Sequence, residues 1–539
     1  MRALEVLVVV GVLVLAGSVL ARRLRLPPPL VLLALGTVVG FVPGIGGVEM
    51  PPDVVLFLFL PALLYWESLT ISLRQIRADL RAISLASIGL VLATAGTVAV
   101  VAHALGLSWP MAFVLGAVLA PTDATAVSTV AGLLPRRART ILRAESLIND
   151  GTALVIFGVA VGVAVGTLDV GPAGIAWRLV GSYAGGIAVG LVLALLVVEV
   201  RRRLHDTRLE NVMSVLTPFL AYLPAELIHA SGVVAVVTCG LTLTQIASRV
   251  ISARARVQSA GFWTLTTFLL NGSLFVLVGL ELHAVVEGRT AAELWTGVAA
   301  TLWVALTVVV TRLAWGNTMP YVVRALDRRP QQRLRRVGFR GRLPGQWAGF
   351  RGAVSLAAAL AVPTTTSAGG PLEGRDLVLL VTFGVIVVLL VVQGLTLPAV
   401  IRFSRLQQDP AEEEERLLAE REMTRAGAEA LEGRAAELGV PEAVVERVRE
   451  SYETRIRQQH LEQVLADGRV IDPDHRAAKQ RVLAEAAVES RLRLALLADK
   501  RETVVRLRDE HTIDDAVMRR VMAQLDAEEV RLLGVEADD

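Results

Sequence analysis

The sequence predicts an all-α polytopic membrane protein followed by a water-soluble helical domain, and three observations lead there. Hydrophobic residues make up 54% of the 539, and the mean hydropathy of +0.57 is well above that of a soluble domain of this length. Apolar runs long enough for a hydrocarbon core of roughly 30 Å recur as far as about residue 403. Beyond Asp409 the character changes. Residues 409–539 hold 32 of the 51 acidic and 21 of the 54 basic residues, a net charge of −11, which leaves +14 on residues 1–408.

Thirteen runs are expected to span, at about 3–21, 29–46, 53–69, 84–105, 110–132, 142–166, 176–200, 211–229, 232–248, 258–281, 293–321, 345–362 and 376–403. The first is followed by its basic cluster, not preceded by it, so it reads as an uncleaved span and not as a signal peptide. Alternate loops carry Arg22, Arg23 and Arg25; Arg74, Arg77 and Arg81; Arg136, Arg137 and Arg139; Arg201, Arg202 and Arg203; Arg249, Arg254 and Arg256; and a stretch from Arg324 to Arg342. The loops between them hold only Arg289 and Arg375. Positive loops stay cytoplasmic, so the N-terminus is expected outside a cell membrane and the C-terminus inside. The lone Cys239 excludes an internal disulfide.

Two domains are therefore expected: a transmembrane domain at 1–408 and a cytoplasmic helical domain at 409–539. The stretch "AEEEERLLAEREMTRAGAEALEGRAAEL" has strong helix formers and no run that could enter a membrane, while Pro441 and "DGRVIDPDH" divide the tail into several helices. A regulatory role, a solvated bundle and a dimerising appendage all fit it, since no motif decides.

Charges inside apolar spans carry the chemistry. A carboxylate at the bilayer centre costs at least about 2.5–3.5 kcal/mol, so such groups face protein or water. Glu67 falls in the third span, Asp123 in the fifth, Glu145 and Asp150 in the sixth and Arg351 in the twelfth. Glu199, Glu226, Glu281 and Arg312 lie nearer span ends, where snorkelling explains them.

The fifth span reads "VLGAVLAPTDATAVSTVAGLL". Pro121 removes a backbone donor, and Thr122 and Thr125 can divert backbone hydrogen bonds, so a break is expected at Asp123. On the sixth span Ser146 and Asp150, four apart, share one face, and Glu145 and Asn149 share the neighbouring one. Asp150 and Ser146 looking toward Asp123 would form an oxygen-rich pocket suited to a small hard cation, with no His or Cys to suggest a transition metal. Glu145 is placed for an opposite charge. Arg351, flanked by Gly349 and Gly352 in "GQWAGFRGAVSLAAALAVP", is the expected partner in a structural ion pair. If spans 1–6 and 8–13 are repeats, the odd seventh span inverts them and maps span 5 onto span 12, so discontinuous helices are expected at both.

"PTDATAV", "ESLINDGTALVIF", "GFRGAVSLAAAL" and "LPALLYWESL" resemble the signature stretches of the monovalent cation:proton antiporter family, in its NhaP- and NHE-like branch of sodium/proton antiporters. The resemblance covers residues 1–405. It implies a homodimer in which each subunit has a dimerisation part and a six-helix core of spans 4–6 and 11–13. It implies that Asp150 is the central ion- and proton-binding carboxylate, with Asp123, Ser146 and the Thr122 carbonyl as co-ligands and Glu67 reaching the site through water. Asn149 stands where the electrogenic branch has a second Asp, which implies electroneutral exchange of one proton for one cation. Glu145 and Arg351 fall on the family's structural ion pair. Ala124 follows Asp123 where the family commonly has Pro.

A transporter driven by gradients is thus expected, with proton and cation competing for Asp150. The expected partners are Na⁺ (with Li⁺ and K⁺ left open by the same oxygens), H⁺ and the lipid bilayer, with no cofactor and no nucleic acid. No GxxxxGK[ST] stretch cradles a phosphate and no HExxH motif is present, so no enzyme is expected. A cation channel could use similar carboxylates. An intramembrane aspartyl protease would need the absent GxGD motif and leaves Asn149 unexplained.

Overall fold

The computed structural model describes residues 2–24, 26–42, 55–71, 73–123, 136–168, 172–204, 206–286, 289–326, 338–405 and 411–466, and parts of 496–529. It divides into two units, 1–408 and 409–539. Among the described residues it is helical throughout, with one isolated β-bridge between Thr365 and Pro371.

The first unit runs α1 (Arg2–Leu24), α2 (Pro28–Gly40), a π-helical turn at Val55–Phe59 leading into α3 (Leu60–Thr70), α4 (Leu73–Ala104), α5 (Trp109–Leu119), α6 (Arg136–Val165), α7 (Pro172–Arg203), α8 (Thr207–Leu227), α9 (Gly232–Val250), α10 (Ala253–Val286), α11 (Ala291–Leu326), α12 (Phe339–Trp347), α13 (Ala353–Leu360) and α14 (Arg375–Ser404). Seven of these, α1, α4, α6, α7, α10, α11 and α14, are long and apolar enough to cross a membrane, and four shorter apolar helices accompany them. This is a multi-pass membrane protein. Several helices begin before the apolar run that marks them. α4, for instance, starts at Leu73 and carries Arg74, Arg77 and Arg81 in its early turns. Hydropathy reports where lipid starts, whereas arginine is a good helix former and lets the helix run on into water.

Packing follows small residues. Gly36 and Gly40, four apart on α2, lie against the backbone carbonyls of Val276 and Leu280 on α10. Gly186 and Gly190 on α7 do the same against Ser231 and Ala235 beside and on α9. Without a hydrophobic drive between helices in lipid, such close backbone contact is what holds spans together. One buried cluster joins α4, α5, α6, α11, α13 and α14; a second joins α3 and α7–α10 with parts of α4 and α6; a third joins α1, α2, α10 and α14 with residues around the α12–α13 break.

Among the described residues, two places within the apolar segments leave helical geometry. α5 ends at Leu119, and Pro121, Thr122 and Asp123 are non-helical; residues 124–135, with Ala124, Thr125 and the rest of the predicted fifth span, lie outside the described residues. The predicted twelfth span is cut in two, with 348–352 non-helical between α12 and α13.

In the second unit, α15 (Ala411–Leu438) and α16 (Glu442–Ala466) pair as a helical hairpin. Gly439 takes φ of +62° to end α15 before Pro441, a left-handed conformation that glycine adopts without a Cβ clash. Arg449 reaches across to Glu432 at 3.2 Å. The predicted breaking stretch "DGRVIDPDH" lies outside the described residues.

Candidate functional site

The two non-helical segments cross. The Asp123 amide donates to the Phe350 carbonyl at 3.0 Å, so each strand supplies part of the pairing the other lost on leaving its helix. Arg351, 0% exposed, donates from Nε to the Leu119 carbonyl at the C-terminal end of α5 (2.6 Å) and from Nη1 to the Gly349 carbonyl. A guanidinium there meets the partial negative charge of a helix end cut off from water. At the opposite polarity, the Asp123 carboxylate lies against Gly352, the residue that opens α13, where a Cβ would overlap it. Glycine at 352 lets a carboxylate approach a helix N-terminus, which favours negative charge.

The cavity beside this crossing measures about 40 Å³, room for a few waters. Its lining divides in two. From α6 and the crossing come Pro121, Thr122, Asp123, Ser146, Asp150, Gly352, Val354 and Ser355; from α3 and α10 come Leu60, Leu63, Leu64, Glu67, Asn271 and Leu274. Ser146 and Asp150 project together because they are one helical turn apart on α6, and the Ser146 hydroxyl donates to the Thr122 carbonyl. Asp150 is 6% exposed. Three carboxylates, a hydroxyl and a backbone carbonyl thus share one small cavity. That donor set is all oxygen and suits a hard cation or a proton, not a transition metal.

Of the residues expected at the site, the structure brings Glu67, Thr122, Asp123, Ser146 and Asp150 together at the cavity. Asn149 is not brought there. It is fully buried, and with its amide nitrogen donating it meets the carbonyls of Ser87 on α4 (3.1 Å) and Glu145 (3.2 Å), while its other end lies 3.4 Å from Thr122 Oγ1. One residue of helix rotation, about 100°, separates it from Asp150.

The expected partner of Glu145 also differs. Its carboxylate is held by Arg312 Nη1 of α11 at 2.7 Å, with Arg312 5% and Glu145 15% exposed at the side chain. Arg312 also donates from Nε to the Gln346 carbonyl (2.9 Å) and from Nη2 to the Gly345 carbonyl (3.2 Å) at the end of α12. The guanidinium of Arg351 is turned to Leu119 and Gly349, and its Nη2 has no hydrogen-bond partner among the described residues. Arg312 therefore does not snorkel. It caps one interrupted helix while neutralising a carboxylate, as Arg351 caps another.

Sequence reasoning passed over Arg312, Asn271 and Ser355. Arg312 carried the signal of an intramembrane charge but sat close enough to a span end to be discounted. The two neutral residues carry no such mark, since serine and asparagine inside a helix can bond their own backbone.

The fold and this cavity define a class of membrane transporter. The family model described as "Sodium/hydrogen exchanger, transmembrane" matches residues 9–403, and the chain belongs to that family. It is a transporter, not an enzyme. The chain is similar to an uncharacterised Na⁺/H⁺ exchanger of Mycobacterium tuberculosis, 44% identical over 532 residues that cover 98% of this chain and 96% of that protein. It is 31% identical to a sodium, potassium, lithium and rubidium/H⁺ antiporter of Bacillus subtilis, over 73% of this chain and 61% of that one. Its fold is similar to that of the sodium proton antiporter MjNhaP1 from Methanocaldococcus jannaschii, with a TM-score of 0.56 at 18% identity, covering 75% of this chain and 99% of that one.

Proposed function

We propose that the protein exchanges Na⁺ for protons across the cell membrane, with one carboxylate, Asp150, carrying either ion in turn. The observation that carries this reading is the small cavity in which Asp150, Asp123 and Glu67 converge beside the crossing of two interrupted segments. Water-accessible carboxylates at such depth are stable only when neutralised, by a proton or by a cation. Asp123, Ser146, the Thr122 carbonyl and, through water, Glu67 contribute to the cation's coordination; Asn149 supports the site from behind and does not ligate. Either occupant lets the core of α4–α6 and α11–α14 move past the rest, and the empty charged site is penalised by the leucine wall it would have to cross.

The finer architecture belongs to the same proposal: thirteen spans with inverted repeats, N-terminus outside and C-terminus cytoplasmic, a homodimer, a domain boundary at 408/409 and a cytoplasmic tail that modulates transport. Exchange is one for one, since Glu145 is cancelled by Arg312 and Asn149 adds no charge. A cation channel lining the same cavity is the competing reading, and saturable proton-coupled flux separates the two.

The test is cation-induced dissipation of an imposed pH gradient in proteoliposomes, run with Na⁺, Li⁺ and K⁺. Asp150→Asn is expected to insert and purify normally yet exchange nothing. Transport by that variant at the wild-type rate would end the proposal.

A further inference from the structure

We propose that Asn271 is the cation-specific group of the transport site: its side-chain carbonyl, on the wall opposite Asp150, takes part in coordinating the cation, directly or through one water, and takes no part in carrying the proton. The inference rests on the ion-site reading above and adds to it a residue from the other half of the molecule.

Asn271 lies in the middle of α10, a helix apolar enough to span, and its side chain lines the cavity. The wall that α3 and α10 present is otherwise leucine, from Leu60, Leu63, Leu64 and Leu274, apart from Glu67. A primary amide on such a wall is out of place on packing grounds. Leucine branches at the same carbon and would continue the surface. Burying an amide without partners costs on the order of 1–3 kcal/mol. Among the described residues the half-buried Asn271 side chain has no hydrogen bond, neither to its own helix nor to a neighbour, and it faces the cavity, whose contents can satisfy it. By contrast Ser146 is already engaged with the Thr122 carbonyl, and Asn149 with Ser87.

Chemistry then distinguishes the two substrates. A hard cation needs about six oxygen ligands, and a single face of α6 and the crossing supplies few of them, so a carbonyl oxygen from across the cavity completes the shell. A proton needs one oxygen, Asp150's own. An amide also brings an oxygen without a charge and does not titrate, so it strengthens cation binding while leaving the charge balance of exchange alone.

The test is exchange in proteoliposomes with Asn271→Leu, which restores the surrounding apolar surface, and Asn271→Ser, which stays polar but falls short of the cavity's centre. Both are expected to raise the KM for Na⁺ at least tenfold, by the same factor at every pH, with a maximal rate within about threefold of wild type. The ranking of Na⁺, Li⁺ and K⁺ should flatten, and Asn271→Gln should recover part of the affinity. A residue that only packed would lower thermal stability or rate with an unchanged KM, and an unchanged KM and ranking in both variants would overturn the proposal. An Asp150→Asn control measured alongside keeps the two readings apart. If that variant still exchanges, the ion site itself is misplaced. If it does not, while Asn271→Leu behaves as wild type, only the role of Asn271 falls.

Discussion

Arg312 holds three elements with one side chain. It pairs with Glu145 on α6 and caps the carbonyls of Gly345 and Gln346 at the end of α12. Removing one member of a buried pair strands the other charge, at a cost of about 3–5 kcal/mol. Arg312→Gln is therefore expected to lower thermal stability in detergent strongly, and more than Glu145→Gln, which leaves the two carbonyl bonds in place. A double-mutant cycle gives the sharper reading. Glu145 and Arg312 should couple by more than about 1 kcal/mol, whereas Glu145 and Arg351, which do not hydrogen-bond to each other, should couple more weakly. A larger coupling for the second pair would contradict the contacts described here.

Among the elements, the interrupted helices are held by what fits at their ends. The Asp123 carboxylate occupies the space where a side chain at 352 would begin. Gly352→Ala therefore forces Asp123 out of place or pushes the 348–352 segment aside. Exchange should fall by about tenfold or more while the thermal midpoint moves modestly, since overpacking of this kind costs typically about 1–3 kcal/mol. Gly190→Leu is the matched comparison. It opens the α7–α9 contact at the Ala235 carbonyl, far from the carboxylates in sequence, and is expected to cost stability first, read as a lower midpoint in detergent with the KM for Na⁺ retained.

At the scale of the whole molecule, charge movement and the second unit provide the tests. With Glu145 neutralised by Arg312 and Asn149 uncharged, the proposed exchange of one proton for one monovalent cation is expected to move no net charge in a cycle. A carrier moving one extra charge would gain about 2.3 kcal/mol from 100 mV. Under a voltage clamp that uses an ion shown not to be a substrate, the Na⁺ gradient at which proton flux reverses should stay fixed. Movement of that point with voltage would remove the electroneutral assignment. The buried clusters around the cavity lie wholly within residues 1–408. A chain ending at Gln408 should therefore still purify folded and exchange, with any change confined to rate or its pH dependence; loss of folding would show that the tail is part of the scaffold.

The membrane class, the positions of the seven long apolar helices and the grouping of Ser146 with Asp150 were legible in the sequence alone, because each depends on local properties: hydropathy over a bilayer's thickness, and a helix's 3.6-residue turn. The interruption near Arg351 was legible for the same reason, through its flanking glycines. Which arginine reaches Glu145 was not. Glu145 and Arg312 are 167 residues apart, and their meeting depends on how α6 and α11 are rotated and offset against one another, which no periodicity within either helix encodes. Asn149 and Asn271 make the same point in opposite directions. Both are neutral amides in apolar runs, yet packing turns the first toward Ser87 and the second toward the carboxylates. A helix pattern says which residues share a face; only the assembled bundle decides what that face meets.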